Sequence, residues 1–333
     1  MSTDSFDPII QQIRTLQEQG EWEAAAHLFA EHASSLIERL PVATVVALFA
    51  PFPSSVVERL PTLWYLAGLV SASLNQAAEA TRWLSRAGEY YARHRQYPDR
   101  QAWIHLELAR IEYRRDDFAL VQEHVDRAMQ LTAQMGPAPS TLQAFLYYMI
   151  ANLCADTGRV AEGIGYAQAA AQEYHRQGST LGEFRALLTV ASLARQTGDF
   201  RVERDALVQA RACYQTGRLE PYSFESLLGA ETHLDWYRGD LTGALEKAQT
   251  WLTIAQGSGY SRRRLYATLV LGNVLRALGR YDQALQVYQA ARRIATESNP
   301  NFTRWIDAQE SWVAALQGRL DDAATLAKRA LAP

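Results

Sequence analysis

From residue 261 onward, apolar and small side chains return at steps of three and four. Leu265, Thr268, Leu271, Gly272, Leu275 and Leu278 form one stripe, and Ala284, Leu285, Tyr288, Ala291 and Ile294 form the next. On a helix of 3.6 residues per turn such spacing gathers the stripe on one face. It predicts two amphipathic helices, over 260–278 and 282–296, joined at Gly279-Arg280-Tyr281.

That junction recurs. A turn residue, a polar residue and an aromatic or aliphatic residue lead into an Ala-rich stretch at Gly20-Glu21-Trp22, Asp116-Asp117-Phe118, Gly158-Arg159-Val160 and Gly198-Asp199-Phe200. The same order stands at Gly239-Asp240-Leu241, Gly279-Arg280-Tyr281 and Gly318-Arg319-Leu320. From Asp116 the intervals are 42, 40, 41, 40 and 39 residues, and stepping back 41 from Asp116 lands on Asn75. A fixed period marks a repeat protein, whose units pack on their neighbours. Each interval holds one helical stretch before the turn and one after it, so the unit is a helix-turn-helix hairpin. Glycine suits the turn because a helix commonly ends on a left-handed residue, the conformation that costs glycine least. Pro98-Asp99, Pro139-Ser140, Pro221-Tyr222-Ser223 and Asn299-Pro300 mark where first helices begin. No segment has strand periodicity. The expected fold is all-α, a right-handed superhelix of about eight hairpins with a period near 40, forming one domain over 1–333. Within it, 1–62 reads as an irregular hairpin and linker and 63–333 as regular repeats.

Leu271-Gly272-x-x-Leu275, then Ala284-x-x-x-Tyr288 and later Pro300, resembles the tetratricopeptide pattern of large, small, aromatic and alanine positions. Gly272 and Ala284 would let the two helices of a hairpin approach closely, while Tyr281 and Tyr288 fill the space to the next unit. The sequence departs from the pattern at Glu203, where the small alanine belongs, and at Thr268, where tryptophan is common. Its period also exceeds the usual repeat of about 34 residues, which lengthens the helices.

The N-terminal third carries a narrower likeness. Gly20-Glu21-Trp22-Glu23-Ala24-Ala25 leads to Glu38-Arg39-Leu40-Pro41, then to Val56-Val57-Glu58-Arg59-Leu60-Pro61-x-Leu63 and Trp64 to Gly68. This order is similar to the segment opening the helical sensor region of MalT-like transcriptional activators, the large LuxR-type ATP-dependent regulators. In that family a nucleotide-binding domain precedes, and a DNA-binding helix-turn-helix follows, a superhelix of lengthened tetratricopeptide-like hairpins. In the maltose activator that superhelix receives a sugar inducer. The phosphate loop GxxxxGK[ST] is absent and no terminal DNA-binding helix pair is evident. The resemblance therefore implies the sensor alone, as a fragment or a stand-alone relative.

Composition narrows the function. The chain is 48% hydrophobic and 21% charged with a formal charge of −3, which suits a soluble protein with no basic excess for nucleic acid. Cys154 and Cys213 make no CxxC pair, so each reads as a small buried hydrophobe in a reducing cytoplasm. Asp4 and Asp7 stand where a secretory signal would be basic, and no segment approaches a membrane-spanning length. His27, His32, His94, His105, His124, His175 and His233 are scattered, without HExxH or an i, i+4 pair, so no metal site is expected. His105-Leu106-Glu107 matches the HxE half of a zinc deaminase motif but lacks the PCxxC half. No GxGxxG, GxSxG or acid/base cluster appears, which argues against an enzyme or a cofactor.

Binding is the reading that remains. In tetratricopeptide-like folds the first helix of each hairpin lines the concave face, and the turn residue sets a common register for these helices. Six places before it stand Arg110, Asn152, Ser192, His233, Asn273 and Trp312. Thirteen places before it stand Trp103, Phe145, Arg185, Ser226, Tyr266 and Trp305. Three places before it stand Tyr113, Ala155, Arg195, Trp236, Arg276 and Ala315. Spacings of seven and three keep these on one helical face. Any one of them, taken singly, is more often buried core or a satisfied buried polar group. As a set they describe a groove of aromatic planes beside hydrogen-bonding groups, suited to a protein or peptide partner, or to a small polar ligand such as an oligosaccharide. Arg262-Arg263-Arg264 reads as a solvated helix start or an anion contact. The last stripe, Ala323, Leu326, Ala327 and Ala330, has nothing in the sequence to cover it, which suggests a truncation or a homodimer contact through the C-terminal helix.

Overall fold

The computed structural model describes residues 7–331 except 41, 75, 95–96, 116, 137–138, 218, 220, 258–260, 299 and 301. Asn75 and Asp116, two of the turn positions, lie outside the described residues, as do Pro41, Tyr260 and Asn299. The described residues form helices and turns, without strands.

Contacts gather the chain into two compact units, Met1–Thr197 and Gly198–Pro333. The first contains α1 (Asp7–Glu18), α2 (Trp22–Arg39), α3 (Val42–Phe49), α4 (Ser54–Val57), α5 (Pro61–Ser73), α6 (Ala77–His94), α7 (Pro98–Tyr113), α8 (Phe118–Gln134), α9 (Ser140–Asp156), α10 (Val160–Gln177) and α11 (Thr180–Gln196). The second contains α12 (Phe200–Gly217), α13 (Pro221–Arg238), α14 (Leu241–Gly257), α15 (Ser261–Ala277), α16 (Tyr281–Ser298), α17 (Phe302–Leu316) and α18 (Leu320–Leu331). The two helices read from the stripes at the C-terminal end are thus α15 and α16.

The repeated junction has a local cause. Gly20, Gly158, Gly198, Gly239, Gly279 and Gly318 all have φ between 73° and 84°, the left-handed region. At Gly279 the turn closes with Gly279 N–H donating to Arg276 O (3.0 Å) and Arg280 N–H to Leu275 O (2.9 Å). Where the next residue is aspartate, it caps the following helix. Asp117 accepts from Leu120 N–H at 3.2 Å, Asp199 from Val202 N–H at 3.0 Å and Asp240 from Gly243 N–H at 3.0 Å. The junction is therefore the end of one helix and the cap of the next, written in consecutive residues.

Between helices, small residues set the approach. A Cβ on Gly272 would stand 2.4 Å from Cε1 of Tyr288, and one on Gly182 2.3 Å from Cδ1 of Tyr174. Both tyrosines are buried, so neither ring has room to retreat. Within the first unit α5 packs on α6, α7 on α8 and α9 on α10, while α2 packs on α5 and also meets α11. Within the second, α13 packs on α14, α15 on α16 and α17 on α18. The irregular linker consists of α3 and α4, after which Leu60 is extended (φ −97°, ψ 114°) and Pro61 opens α5. Cys154 and Cys213 are buried and free. Glu203, on α12, is fully buried at the position where the pattern expects alanine. No helix among the described residues is long and apolar enough to cross a membrane.

Candidate functional site

In the first unit the ladder turns inward. Trp103 on α7 and Phe145 on α9 are 8% and 6% exposed, and their ring centroids lie 5.2 Å apart, so the pair packs one first helix on the next. Arg110 Nε donates to Glu107 Oε2 at 2.8 Å, one turn back on the same helix. Asn152 Nδ2 donates to the Tyr148 carbonyl at 2.7 Å. Tyr113 meets Phe118 edge-on at 6.0 Å, and Arg195 Nη2 donates to Ser192 Oγ at 3.4 Å. Arg185 and Arg195 are half-buried. These groups are engaged by neighbours on their own or the adjacent helix.

In the second unit the ladder is split. Asn273 and Arg276 are buried, and Asn273 Oδ1 accepts from Tyr288 Oη at 2.7 Å. Burial, opposed by the nearby Arg276, pushes the Tyr288 phenol up to about 12. Arg276 places its guanidinium carbon 3.9 Å from the centroid of the Trp312 ring, and its Nε is buried without a hydrogen-bond partner among the described residues. Trp312 itself is 57% exposed, and Trp305, two turns earlier on α17, is 39% exposed. Tyr266 on α15 is 38% exposed and meets Phe302 edge-on at 5.2 Å. On α13, Trp236 lies 4.9 Å from Tyr237 and 6.0 Å from His233, with both Trp236 and His233 half-buried. The arrangement offers aromatic planes to solvent on α17 and α15, with the Arg276 guanidinium already stacked on Trp312.

The basic run has another arrangement from either one expected. Arg263 pairs with Glu225 at 3.3 Å, and Arg262 lies 5.7 Å from the Tyr266 ring centroid. All three arginines are half-buried. Arg263 is thus drawn onto Glu225 of α13 and Arg262 onto Tyr266, rather than both being left in solvent.

Three groupings have no signal in the sequence. Arg292 on α16 donates to Asp307 at 2.7 Å and to Glu310 at 2.8 Å, and Arg329 on α18 also donates to Asp307 at 2.8 Å. Burial pulls the Arg292 guanidinium down, but Asp307 and Glu310 outweigh it and hold it above the usual range. Tyr237 stacks on Phe200 at 6.3 Å. His105 on α7 and His124 on α8 bring their Nδ1 atoms to 3.2 Å. Burial lowers both imidazoles; His105, next to His124, falls to about 4. The partners in each grouping sit on different helices, so no residue spacing announces them. Two cavities of the first unit also lie off the ladder. One of about 220 Å³ is lined by Glu23, His27, Tyr90, Tyr91 and Tyr97, and one of about 360 Å³ by His105, Glu123, His124, Asp126, Arg127 and Gln130.

The tetratricopeptide repeat family model matches residues 264–332. No curated protein matches the chain. Among solved structures, a Rap protein in complex with competence and sporulation factor superposes with a TM-score of 0.66 at 12% identity, covering 99% of this chain and 97% of that one. NprR in complex with its cognate peptide NprX gives 0.58 at 16% identity, over 78% and 77%. A signal-transduction ATPase with numerous domains and a tetratricopeptide repeat sensor, from Pyrococcus horikoshii, gives 0.62 at 13% identity. That match covers 97% of this chain and 49% of the ATPase, so the chain spans about half its length. At such identities the likeness is one of fold: an all-helical, tetratricopeptide-like solenoid.

Proposed function

We propose that the chain is a non-catalytic binding module that holds a peptide or a helix against the aromatic face of α15 and α17. The observation that carries this reading is the exposure of Trp305, Trp312 and Tyr266 in a chain that buries its comparable ladder aromatics Trp103 and Phe145. Exposed tryptophan and tyrosine beside arginine are the residues that most often anchor a protein partner. Arg276, buried and stacked on Trp312, covers one side of the ring and leaves its exposed remainder for an incoming side chain. NprR, a solenoid of the same kind, has been solved with its cognate peptide, which supports peptides as the ligand class.

The test is panning of a random heptapeptide phage library on the full chain, followed by fluorescence anisotropy of the enriched peptides. Binding that is lost in the double variant Trp305→Ala/Trp312→Ala, with the fold kept and the unfolding midpoint lowered only slightly, is the expected result. Enriched peptides that bind the double variant as well would place the site elsewhere.

A second reading rests on the Pyrococcus ATPase and on the Leu60-Pro61 step that opens α5. In it the chain is the sensor region of a MalT-like regulator and takes an oligosaccharide. Its mechanism is a population shift, in which the ligand favours one arrangement of the hairpins. Maltotriose at millimolar concentration then raises the melting temperature; no shift removes sugar sensing. Leu320 and Leu331, exposed on α18, are where a homodimer would form, and sedimentation of Leu320→Lys against wild type decides it.

A further inference from the structure

The face of α7 and α8 away from the ladder carries a pair of histidines that neither the fold nor the peptide surface uses. His105 and His124 have ring centroids 5.3 Å apart and planes inclined by 44°, with Nδ1 of each 3.2 Å from the other. Both are half-buried and line the cavity of about 360 Å³ that also meets Glu123, Asp126, Arg127 and Gln130. Without a ligand, one ring donates its Nδ1 proton to the other.

We propose that this pair is a binding site for a divalent transition metal ion of the zinc, nickel or copper class. With metal–nitrogen bonds of about 2.0–2.1 Å, two nitrogens 3.2 Å apart subtend an angle of about 100° at the ion, between square and tetrahedral coordination. Imidazole selects these ions over calcium and magnesium, which take oxygen ligands. Around the site, Glu123 and Asp126 against Arg127 leave one excess negative charge when the histidines are neutral, so a cation is not repelled. Among the described residues no group of three or more histidine, cysteine, aspartate or glutamate side chains is placed to hold a metal. The ion therefore takes two protein ligands and completes its shell with water in the open cavity. Binding converts both rings to the tautomer protonated at Nε2: the proton shared between the Nδ1 atoms leaves to solvent, and its ring regains one at Nε2. The net charge of the protein is unchanged by this exchange.

The test is titration of the full chain with zinc chloride, read by calorimetry and by the ¹⁵N resonances of the histidine rings. One equivalent of zinc is expected to shift the Nδ1 resonances of two histidines together. His105→Gln and His124→Gln should each weaken binding by about tenfold or more, and His94→Ala, an exposed histidine outside the pair, should leave it unchanged. The glutamine variants keep a hydrogen-bonding side chain between α7 and α8; circular dichroism confirms their folding. A variant that fails to fold is replaced by the ring-resonance measurement on wild type alone. Uptake of equal strength in His105→Gln, or resonances that stay in place, would overturn the proposal and leave the two rings as a hydrogen-bonded structural pair.

Discussion

Thirteen residues before the turn, the first unit places Trp103 and Phe145, and the second places Tyr266 and Trp305. The former are 8% and 6% exposed and pack on each other at 5.2 Å; the latter are 38% and 39% exposed. Register is the same in both cases, so register does not decide burial. The neighbouring helix does. Trp103 and Phe145 stand on successive first helices and meet ring to ring. In the second unit the Tyr266 ring turns instead onto Phe302, at the start of α17, which leaves Trp305 one turn later without the tyrosine as a partner. A similar contrast separates Arg110, bonded to a carboxylate on its own helix, from Arg276, whose charge lies over an exposed tryptophan. The first unit buries Trp103 and Phe145 against each other, while the second leaves Tyr266, Trp305 and Trp312 exposed.

This contrast predicts a graded set of effects. Trp103→Ala should destabilise the protein by about 3–5 kcal/mol in denaturant unfolding, the cost of emptying a buried aromatic site. Trp305→Ala should cost well under that, about 0.5 kcal/mol, and abolish peptide binding instead. Equal costs at the two positions would end the distinction between the units.

Next in size is Gly272→Ala, which forces a methyl to within 2.4 Å of the buried Tyr288 ring and should cost about 1–3 kcal/mol. Gly165→Ala, on α10 of the first unit with nothing within 4 Å of the added carbon, should stabilise by up to about 1 kcal/mol through helix propensity. Thermal melts of the two variants should move in opposite directions.

Tyr288→Phe leaves the buried Asn273 oxygen without its donor and should cost about 1–2 kcal/mol at neutral pH. Because the folded phenol titrates near 12 and the unfolded one near 10, its contribution is full below pH 10 and is lost as pH rises towards 12. The wild type should therefore lose stability over that window more steeply than Tyr288→Phe, as read by unfolding midpoints at pH 9, 10 and 11. Parallel pH profiles would show that Tyr288 ionises freely in the folded state.

The C-terminal half of the repeat pattern was legible down to single residues. Gly279, then Arg280, then Tyr281 announced the end of one helix and the start of the next, and Leu271-Gly272 against Tyr288 announced how closely the two would approach. The candidate site was legible only as a face. His233, Trp236, Asn273 and Trp312 do stand on first helices, yet spacing could not say that Asn273 would be occupied by a tyrosine hydroxyl while Trp312 stayed open. Nor could it show that Arg263 would reach Glu225, 38 residues back.

The sequence alone determined what is local: helix ends, caps, the hairpin period and the small residues at close approaches. These depend on backbone conformations and contacts within a few residues, or on a register that repeats. Tertiary structure alone decided which ladder residues are buried, how Arg292, Asp307 and Arg329 join three helices, and that His105 meets His124. Those outcomes depend on how far one helix is rotated against the next, a quantity set by the whole packed interface and carried by no single residue.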